Sequence, residues 1–234
     1  MDNIAIITAR GGSKRIPGKN IRDFLGKPII VYSIETAISS GLFSEVMVST
    51  DDKEIAAIAQ QYGASVPFMR STQNSGDYAG TDDVLLEVLN QLKETGKEYD
   101  NACCIYPTAP FINIGSLKTG YDLLKANDHD SVFPVCAFSY PVQRSLKIND
   151  KGRVVMNWPE NENKRSQELP ALYHDAGQFY WVNTERFLAN KKLYTDNSGT
   201  IILDALHVQD IDNEMDWKLA EIKYALITGT YNRL

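Results

Sequence analysis

NIAIITARGGSKRIPGKN, residues 3–20, is the stretch of sequence that decides the fold. Its first part, residues 3–9, is a short and strongly apolar run, as expected of a β-strand that is covered on both faces. A loop rich in glycine and in basic residues follows directly, over residues 10–20. In parallel α/β sheets the ligand binds beyond the carboxyl ends of the strands. The stretch therefore predicts a buried first strand that leads straight into a ligand-binding loop.

This loop has the chemistry that a triphosphate requires. Gly11 and Gly12 lack a Cβ, so backbone N–H groups can approach phosphate oxygens closely there. Ser13 adds a hydroxyl donor, and positive charge comes from Arg10, Lys14, Arg15 and Lys19. The spacing matches neither G-x-x-x-x-G-K-[ST] nor G-x-G-x-x-G. Composition alone therefore also allows an ordinary solvated loop, and it is the position after the first strand that favours phosphate binding.

The segments that follow alternate between helix and strand. Pro28 at a first helical turn and Gly41 at the end predict one helix, and Asp51 and Asp52 can cap the next. Further strands are predicted at residues 45–50, 66–69, 101–106 and 131–138, and further helices from Thr81 and from Asn113 or Ser116. This alternation predicts an α/β fold with a doubly wound, mostly parallel sheet.

The pattern changes after Ser139. Two short strand-like runs flank the turn at residues 149–152, which predicts a hairpin. Residues 157–170 are polar and irregular, so we interpret the segment of about 139–170 as an arm inserted into a single domain of residues 1–234. Later strands are predicted at residues 177–183, 201–203 and 206–208, and a terminal helix at 213–226.

Composition argues against several classes of protein. The chain has 234 residues, of which 43% are hydrophobic, enough for the core of one domain. A net charge of −6 argues against a nucleic-acid partner, because phosphate-backbone binding needs a basic surplus. We find no secretory signal and no apolar run near the roughly 20 residues that span a membrane. Cys103, Cys104 and Cys136 fit buried thiols of a reducing compartment, so we expect a soluble, cytoplasmic protein without membrane contact.

The first stretch and several later motifs together resemble one family. ARGGSKRIPGKN, followed by a helix that opens with GKPII, is similar to the nucleotide-binding opening of sugar cytidylyltransferases, the CMP-sialic acid synthetase family in particular. The later motifs stand in the order of that family: STDD at 49–52, YGASVPFMR at 62–70, GTDDVL at 80–85, YPTAPF at 106–111 and DIDNEMDWKLAE at 210–221. The resemblance spans essentially the whole chain.

The resemblance implies an enzyme that transfers CMP from CTP to the anomeric hydroxyl of an acidic nine-carbon sugar and releases pyrophosphate. It places CTP on Arg10, Gly11, Gly12, Ser13, Lys14, Lys19, Asn20, Arg70 and Thr81. Without the resemblance, Arg70 would be interpreted as a solvated surface arginine. Arg10, Lys19 and Asp212 are the residues expected to act in catalysis, by stabilising charge on the phosphates directly or through a metal.

Asp210 and Asp212 form the candidate metal site. Alternate residues of an extended segment point to the same side, and two carboxylates plus substrate phosphates match the way Mg²⁺ is usually held. Spacing alone equally allows Asp212 or Asn213 to cap the helix that follows. The resemblance implies Mg²⁺ binding at both aspartates.

YPVQRSL at 140–146, RSQ at 165–167 and YHDAGQFYW at 173–181 resemble the pseudaminic acid branch of the family. This resemblance implies sugar contacts at Tyr106, Gln143, Arg144, Arg165, His174 and Gln178. Tyr106, Gln143 and His174 replace more polar or basic residues of sialic-acid enzymes, which suits a less polar, 9-deoxy sugar. For the aromatic residues at 179–181, core packing is the simpler interpretation.

Several alternatives stay open at this point. Within the enzyme class, the sugar could be N-acetylneuraminic, legionaminic or Kdo-type acid. Outside it, a non-catalytic nucleotide-binding regulator could use the same fold, because fold does not determine function. The aromatic-bearing arm is costly to order alone, and the resemblance also implies a dimer, so we expect a homodimer in which the arm packs on a second subunit.

Overall fold

Strands and helices alternate along the computed structural model, which describes residues 2–76 and 78–230. Within these residues the strands are β1 (Asn3–Thr8), β2 (Asp23–Phe24), β3 (Lys27–Pro28), β4 (Glu45–Ser49), β5 (Asn101–Ile105), β6 (Ser131–Ala137), β7 (Leu146–Ile148), β8 (Val154–Met156), β9 (Tyr173–Asp175), β10 (Phe179–Asn183) and β11 (Ser198–Leu203). The helices are α1 (Ile29–Ser40), α2 (Lys53–Gln61), α3 (Thr81–Glu94), α4 (Ile114–Ala126), α5 (Thr184–Asn190) and α6 (Glu214–Thr228).

The central sheet has the strand order β11-β6-β10-β5-β1-β4, with β9 also paired to β6. Strand β1 is parallel to both β4 and β5, and β11 is parallel to β6. Strand β10 lies between β5 and β6 and is antiparallel to both. The prediction of a mostly parallel α/β sheet is confirmed, and the antiparallel insertion of β10 is the feature that the alternating pattern did not predict.

Helices cover both faces of β1, which explains its continuous apolar sequence. Ala5 and Ile7 pack in a cluster with Ile30 and Ile34 of α1 and with residues of α2 and α4. Ile4 and Ile6 point the other way and pack with leucines of α3. Successive side chains of a strand alternate between its faces, so a strand buried on both sides needs apolar residues at every position. Residues 4–7 are accordingly fully buried.

The predicted helix boundaries follow from local hydrogen bonds. Gly41 ends α1 with a φ of 64°, a left-handed conformation that glycine adopts at low cost. The Asp52 carboxylate accepts hydrogen bonds from the N–H groups of Glu54 and Ile55 and so begins α2. Asn113 does the same for Ser116 at the start of α4. Each of these ends lies within a residue or two of the predicted one.

Two predicted strands are wrong. Residues 66–69 form no strand, because the contact with β4 is limited to an isolated bridge between Ser65 and Met47. Residues 205–207 form a short 3-10 helix instead, since the Asp204 carboxylate accepts from the Leu206 N–H. Helix α5 was not predicted. No helix in residues 2–76 or 78–230 is long and apolar enough to cross a membrane.

The arm, residues 139–170, contains the predicted hairpin. Strands β7 and β8 pair antiparallel around the turn, with Ile148 opposite Val154. Short 3-10 turns make up much of the rest. The hairpin is poorly covered: Ile148 is 75% exposed, Val154 61% and Leu146 60%.

Candidate active site

A cavity of about 420 Å³ lies beyond the carboxyl ends of β1 and β5. The phosphate loop, residues 10–20, forms one side of it, and residues at the start of α3 and after β5 form another. The residues that line it are Thr8, Arg10, Ser13, Lys14, Arg15, Ile16, Lys19, Asn20, Arg70, Ala79, Gly80, Thr81, Val84, Tyr106, Pro107, Thr108 and Asp212. The position is the one that strand topology predicts for a ligand site.

Hydrogen bonds and close packing hold the phosphate loop in position. The Gly11 N–H donates to the Asp51 carboxylate at 2.9 Å. A Cβ on Gly11 would lie only 2.7 Å from the Asp52 Oδ2 atom, so the close approach of loop and helix cap requires glycine. Asn20 is buried, and its side-chain N–H donates to the Arg10 carbonyl at 2.8 Å. These contacts hold the loop in its conformation. Gly12 is not tightly packed, since a Cβ there would meet no atom within 4 Å.

Basic side chains of the loop meet the segment that precedes α6. The Lys19 ammonium donates to the Ile211 carbonyl at 2.8 Å. Burial lowers the pKa of Lys19, and the nearby carboxylates of Asp212 and Asp210 oppose that shift. Arg15 forms an ion pair with Asp212, with 2.6 Å between Nη2 and Oδ1. The cavity thus has a cationic loop and an acidic segment in direct contact.

Asp212 is not the cap of α6. Asn213 has that role, since its side chain accepts from the N–H groups of Met215 and Asp216. Ile211 is buried, and the aspartates on either side of it are more exposed. Burial and the adjacent Asp212 carboxylate raise the pKa of Asp210. A nearby cation would favour the charged form of Asp210.

The donor set limits which metal could bind here. Among the described residues, no group of three or more histidine, cysteine, aspartate or glutamate side chains could hold a metal by itself. Asp210 and Asp212 offer two carboxylates beside a cavity that is also lined by Arg10, Lys14 and Lys19. Mg²⁺ is usually held by one or two carboxylates together with substrate phosphates and water, so the residues present fit Mg²⁺ bound together with a nucleotide.

Arg70 also lines the cavity and is only 8% exposed, so it is not a solvated surface arginine. Its guanidinium donates to the Ser49 hydroxyl at 3.0 Å and to the Ser49 carbonyl. Burial lowers its pKa, and Asp51 opposes the shift. Beside it, the hydroxyls of Thr81 and Tyr106 are 3.0 Å apart.

Of the six expected sugar contacts, only Tyr106 lines this cavity. Gln178 is buried, and its side-chain N–H donates to the His207 carbonyl at 2.6 Å. The His174 ring stands 5.0 Å from that of Phe138. The other three expected contacts, Gln143, Arg144 and Arg165, are in the arm: Gln143 donates to the Pro170 carbonyl, Arg144 lines a separate groove, and Arg165 is exposed.

Sequence reasoning found most of the cavity but missed two features of it. Arg15 was counted among the cations of the loop but not among the site residues, although it holds Asp212. The sequence places Asp51 in the STDD motif and predicts it as a helix cap, but it does not predict the hydrogen bond that Asp51 accepts from the Gly11 N–H. Both contacts join segments that are far apart in sequence. The spacing of residues within one motif carries no information about such contacts.

A family model described as "Cytidylyltransferase" matches residues 4–223. The chain belongs to the cytidylyltransferase family. The match covers nearly the whole chain, and the prediction of a cytidylyltransferase is confirmed. The predicted resemblance, made on motifs from residues 9 to 221, is confirmed as well.

The alignments with named relatives cover most of this cytidylyltransferase. A pseudaminic acid cytidylyltransferase of Campylobacter jejuni is 42% identical over 96% of this chain and 97% of its own. A CMP-N,N'-diacetyllegionaminic acid synthase of Legionella pneumophila is 32% identical over 93% of this chain and 94% of its own. Among solved structures, CMP:2-keto-3-deoxy-manno-octonic acid synthetase complexed with CTP has a TM-score of 0.71 at 19% identity, covering 98% of this chain and 100% of the other. This last likeness confirms the fold.

Proposed function

We propose that this cytidylyltransferase transfers CMP from CTP to the anomeric hydroxyl of pseudaminic acid and releases pyrophosphate. The observation that carries the proposal is the meeting of Arg10, Lys14 and Lys19 with Asp212 in one cavity at the carboxyl edge of the sheet. Such a cavity suits a triphosphate whose charge must be offset on one side and whose metal must be held on the other. The choice of sugar is supported by the Campylobacter relative.

The chain's own residues act mainly by position and charge. Arg10, Lys14 and Lys19 bind the phosphate oxygens and stabilise the negative charge that pyrophosphate carries away. The braced loop offers donors already in place, which lowers the cost of ordering the triphosphate. The sugar hydroxyl attacks the α-phosphate, the bond to the β-phosphate breaks, and the hydroxyl proton leaves to solvent or to a basic group.

We propose that Asp210 and Asp212 hold Mg²⁺. When bound there with CTP, the ion supplies positive charge to the α-phosphate and lowers the pKa of a hydroxyl close to it. Arg15 pairs with Oδ1 of Asp212, and an ionised carboxylate has two acceptor oxygens, so Asp212 could hold the metal with this ion pair in place.

We also propose a homodimer formed through the arm. A two-stranded hairpin is marginally stable by itself in water, and the apolar side chains of β7 and β8 are largely uncovered. A second copy of the chain that packs on the arm would cover them. The three buried free thiols suit a reducing compartment, which supports a cytoplasmic location.

The proposed function is tested by pyrophosphate release. Purified protein is mixed with CTP, Mg²⁺ and, in separate reactions, pseudaminic, legionaminic, N-acetylneuraminic and Kdo acids. We expect kcat/KM to be highest for pseudaminic acid and at least about 100-fold lower for N-acetylneuraminic acid, because unpaired buried polar groups reject an analogue strongly. A preference for legionaminic acid would favour the activity named for the Legionella relative. Release with none of the four sugars would overturn the proposal.

A further inference from the structure

The acidic segment before α6 is held in place by contacts on both sides of its backbone. The Ile211 side chain is 1% exposed and packs in a cluster with Trp217. The Ile211 carbonyl accepts from the Lys19 ammonium at 2.8 Å. The next main-chain group, the Asp212 N–H, donates to the Asp216 carboxylate at 2.9 Å. None of these contacts uses the Asp212 carboxylate, and Asp212 lines the cavity.

The hydrogen bond from the Asp212 N–H is not explained by the capping of α6. Asn213 and Asp216 form a reciprocal capping box: the Asn213 side chain accepts from the Asp216 N–H at 3.1 Å, and the Asp216 carboxylate accepts from the Asn213 N–H at 3.0 Å. A capping box satisfies only the N-cap residue and the third residue of the helix. Asp212 lies before the N-cap, yet its N–H donates to the same oxygen, Oδ2 of Asp216. Asp216 therefore also fixes a residue outside the helix and its cap.

A fixed main chain restricts the position of the Asp212 carboxylate. The side chain of aspartate is short, so its carboxylate reaches only a small region once the N–H of the same residue is held. A metal ligand that already lies in its bound position binds more tightly, because less conformational freedom is lost when the ion arrives. Loss of the groups that orient metal ligands typically costs about 10- to 100-fold in metal affinity.

We propose that Asp216 is a positioning residue for the metal site: its carboxylate holds the main chain of Asp212 so that the Asp212 carboxylate stays at the cavity. The inference rests on the proposed binding of Mg²⁺ by Asp210 and Asp212. Asp216 is not itself a metal ligand in this proposal. It acts through the two main-chain N–H groups that donate to its Oδ2 atom.

The test measures the binding of Mn²⁺, which suits the same oxygen ligands as Mg²⁺, in the presence of CTP. Electron paramagnetic resonance gives the dissociation constant of Mn²⁺ without turnover. Asp216→Ala removes the acceptor, and we expect this dissociation constant to rise by about 10-fold. Asp216→Asn keeps an oxygen that can accept from both N–H groups, so it should restore most of the affinity. The proposal is overturned if Asp216→Ala binds Mn²⁺ as wild type does, or if Asp216→Asn loses as much affinity as Asp216→Ala, since charge would then be the cause.

Asn213→Ala is the matched control. It removes the other half of the capping box and should lower the melting temperature as Asp216→Ala does, because both variants weaken the start of α6. It leaves both main-chain N–H groups on Asp216, so the Mn²⁺ affinity should stay close to that of wild type. Equal loss of Mn²⁺ affinity in Asn213→Ala and Asp216→Ala would reduce Asp216 to a helix cap and refute the proposal.

A second measurement needs no substitution and decides the matter if Asp216→Ala does not fold. In the metal-free wild type, the Asp212 N–H should be protected from hydrogen exchange, because it is already bonded before the ion arrives. Exchange as fast as that of an open amide would contradict the proposal.

Failure of the proposed function would be seen separately. Asp212→Asn in the same Mn²⁺ assay tests the metal site, and unchanged binding there would overturn both the site and this inference. Weaker binding in Asp212→Asn together with normal binding in Asp216→Ala would overturn the inference alone. Wild-type protein that binds Mn²⁺ with CTP but releases no pyrophosphate with any of the sugars would overturn the reaction and leave the role of Asp216 standing.

Discussion

Gly11 and Gly12 are neighbours in sequence but have different surroundings. A Cβ on Gly11 would lie 2.7 Å from Oδ2 and 2.9 Å from Cβ of Asp52, whereas one on Gly12 would meet nothing within 4 Å. We expect Gly11→Ala to displace the cap of α2, to lower the melting temperature and to weaken CTP binding. Gly12→Ala should leave the melting temperature unchanged. Equal thermal stability of both variants would contradict the need for glycine at position 11.

Asp212 gives the second prediction for a single residue. Asp212→Asn keeps the shape of the side chain and removes the charge that a metal ligand needs. We expect the Mg²⁺ concentration at half-maximal pyrophosphate release to rise by at least about 10-fold, since loss of outer-shell partners alone can cost that much in metal affinity. Glu214→Gln is the control, because Glu214 is paired with Arg22. Unaltered Mg²⁺ titration in Asp212→Asn would remove it from the metal site.

At the scale of elements, Glu45, the first residue of β4, connects this strand to neighbouring segments through side-chain contacts. It is 16% exposed on its side chain and accepts from Lys97, Ser65 and Tyr99. Burial opposes its ionisation, but these donors outweigh burial, and the pKa falls below its ordinary 4.5. A lowered pKa in the folded state means that the stabilisation is present above pH 4.5 and is lost as the pH falls through the lowered value.

We therefore expect Glu45→Gln to cost about 2 kcal/mol at neutral pH, as loss of hydrogen bonds to a charged group does. The difference from wild type should shrink in acid, below the ordinary pKa of glutamate. Calorimetric unfolding of both proteins at several pH values measures this difference in the free energy of unfolding. Glu98→Gln is the control, because Glu98 pairs with Lys93 at 3.6 Å with both side chains exposed, and such pairs contribute little. A pH-independent difference for Glu45→Gln would contradict the ionic cause.

Elements with strong local signals were predictable from sequence. Strand β1 and helices α1, α2 and α4 follow from apolar patterning and from caps that lie next to them in the chain. The sequence predicts β10 as a strand, but its place between β5 and β6 depends on pairing with residues roughly 50 to 80 positions earlier in the chain. Likewise the phosphate loop predicts the cavity. The position of Gln143 depends on how the arm folds back, and that of His174 on the pairing of β9 with β6; no motif specifies either.

At the scale of the whole molecule, the uncovered apolar side chains of the arm lead to a prediction about the oligomeric state in solution. Ile148 is 75% exposed on β7, and in a dimer formed through the arm it would be covered. Ile148→Asp should then convert the dimer into a monomer, because a buried unpaired carboxylate is costly. Leu226→Asp places the same charge on α6, at a side chain that is 51% exposed, and should leave the mass unchanged. Light scattering at micromolar concentration measures both; a monomeric wild type with full activity would contradict the dimer.

The place of β10 in the sheet also has a consequence for the order of synthesis. Strands β5 and β6 are made one after the other, but neither can complete its pairing until residues 179–183 have left the ribosome. Until then the nascent chain holds two apolar strands with open edges, the kind of surface that joins other chains. A polypeptide that stops before residue 179 should aggregate rather than fold. Messages cut short before the codon for residue 179 would thus give insoluble protein, and the cell's chaperones would meet this chain chiefly before β10 emerges.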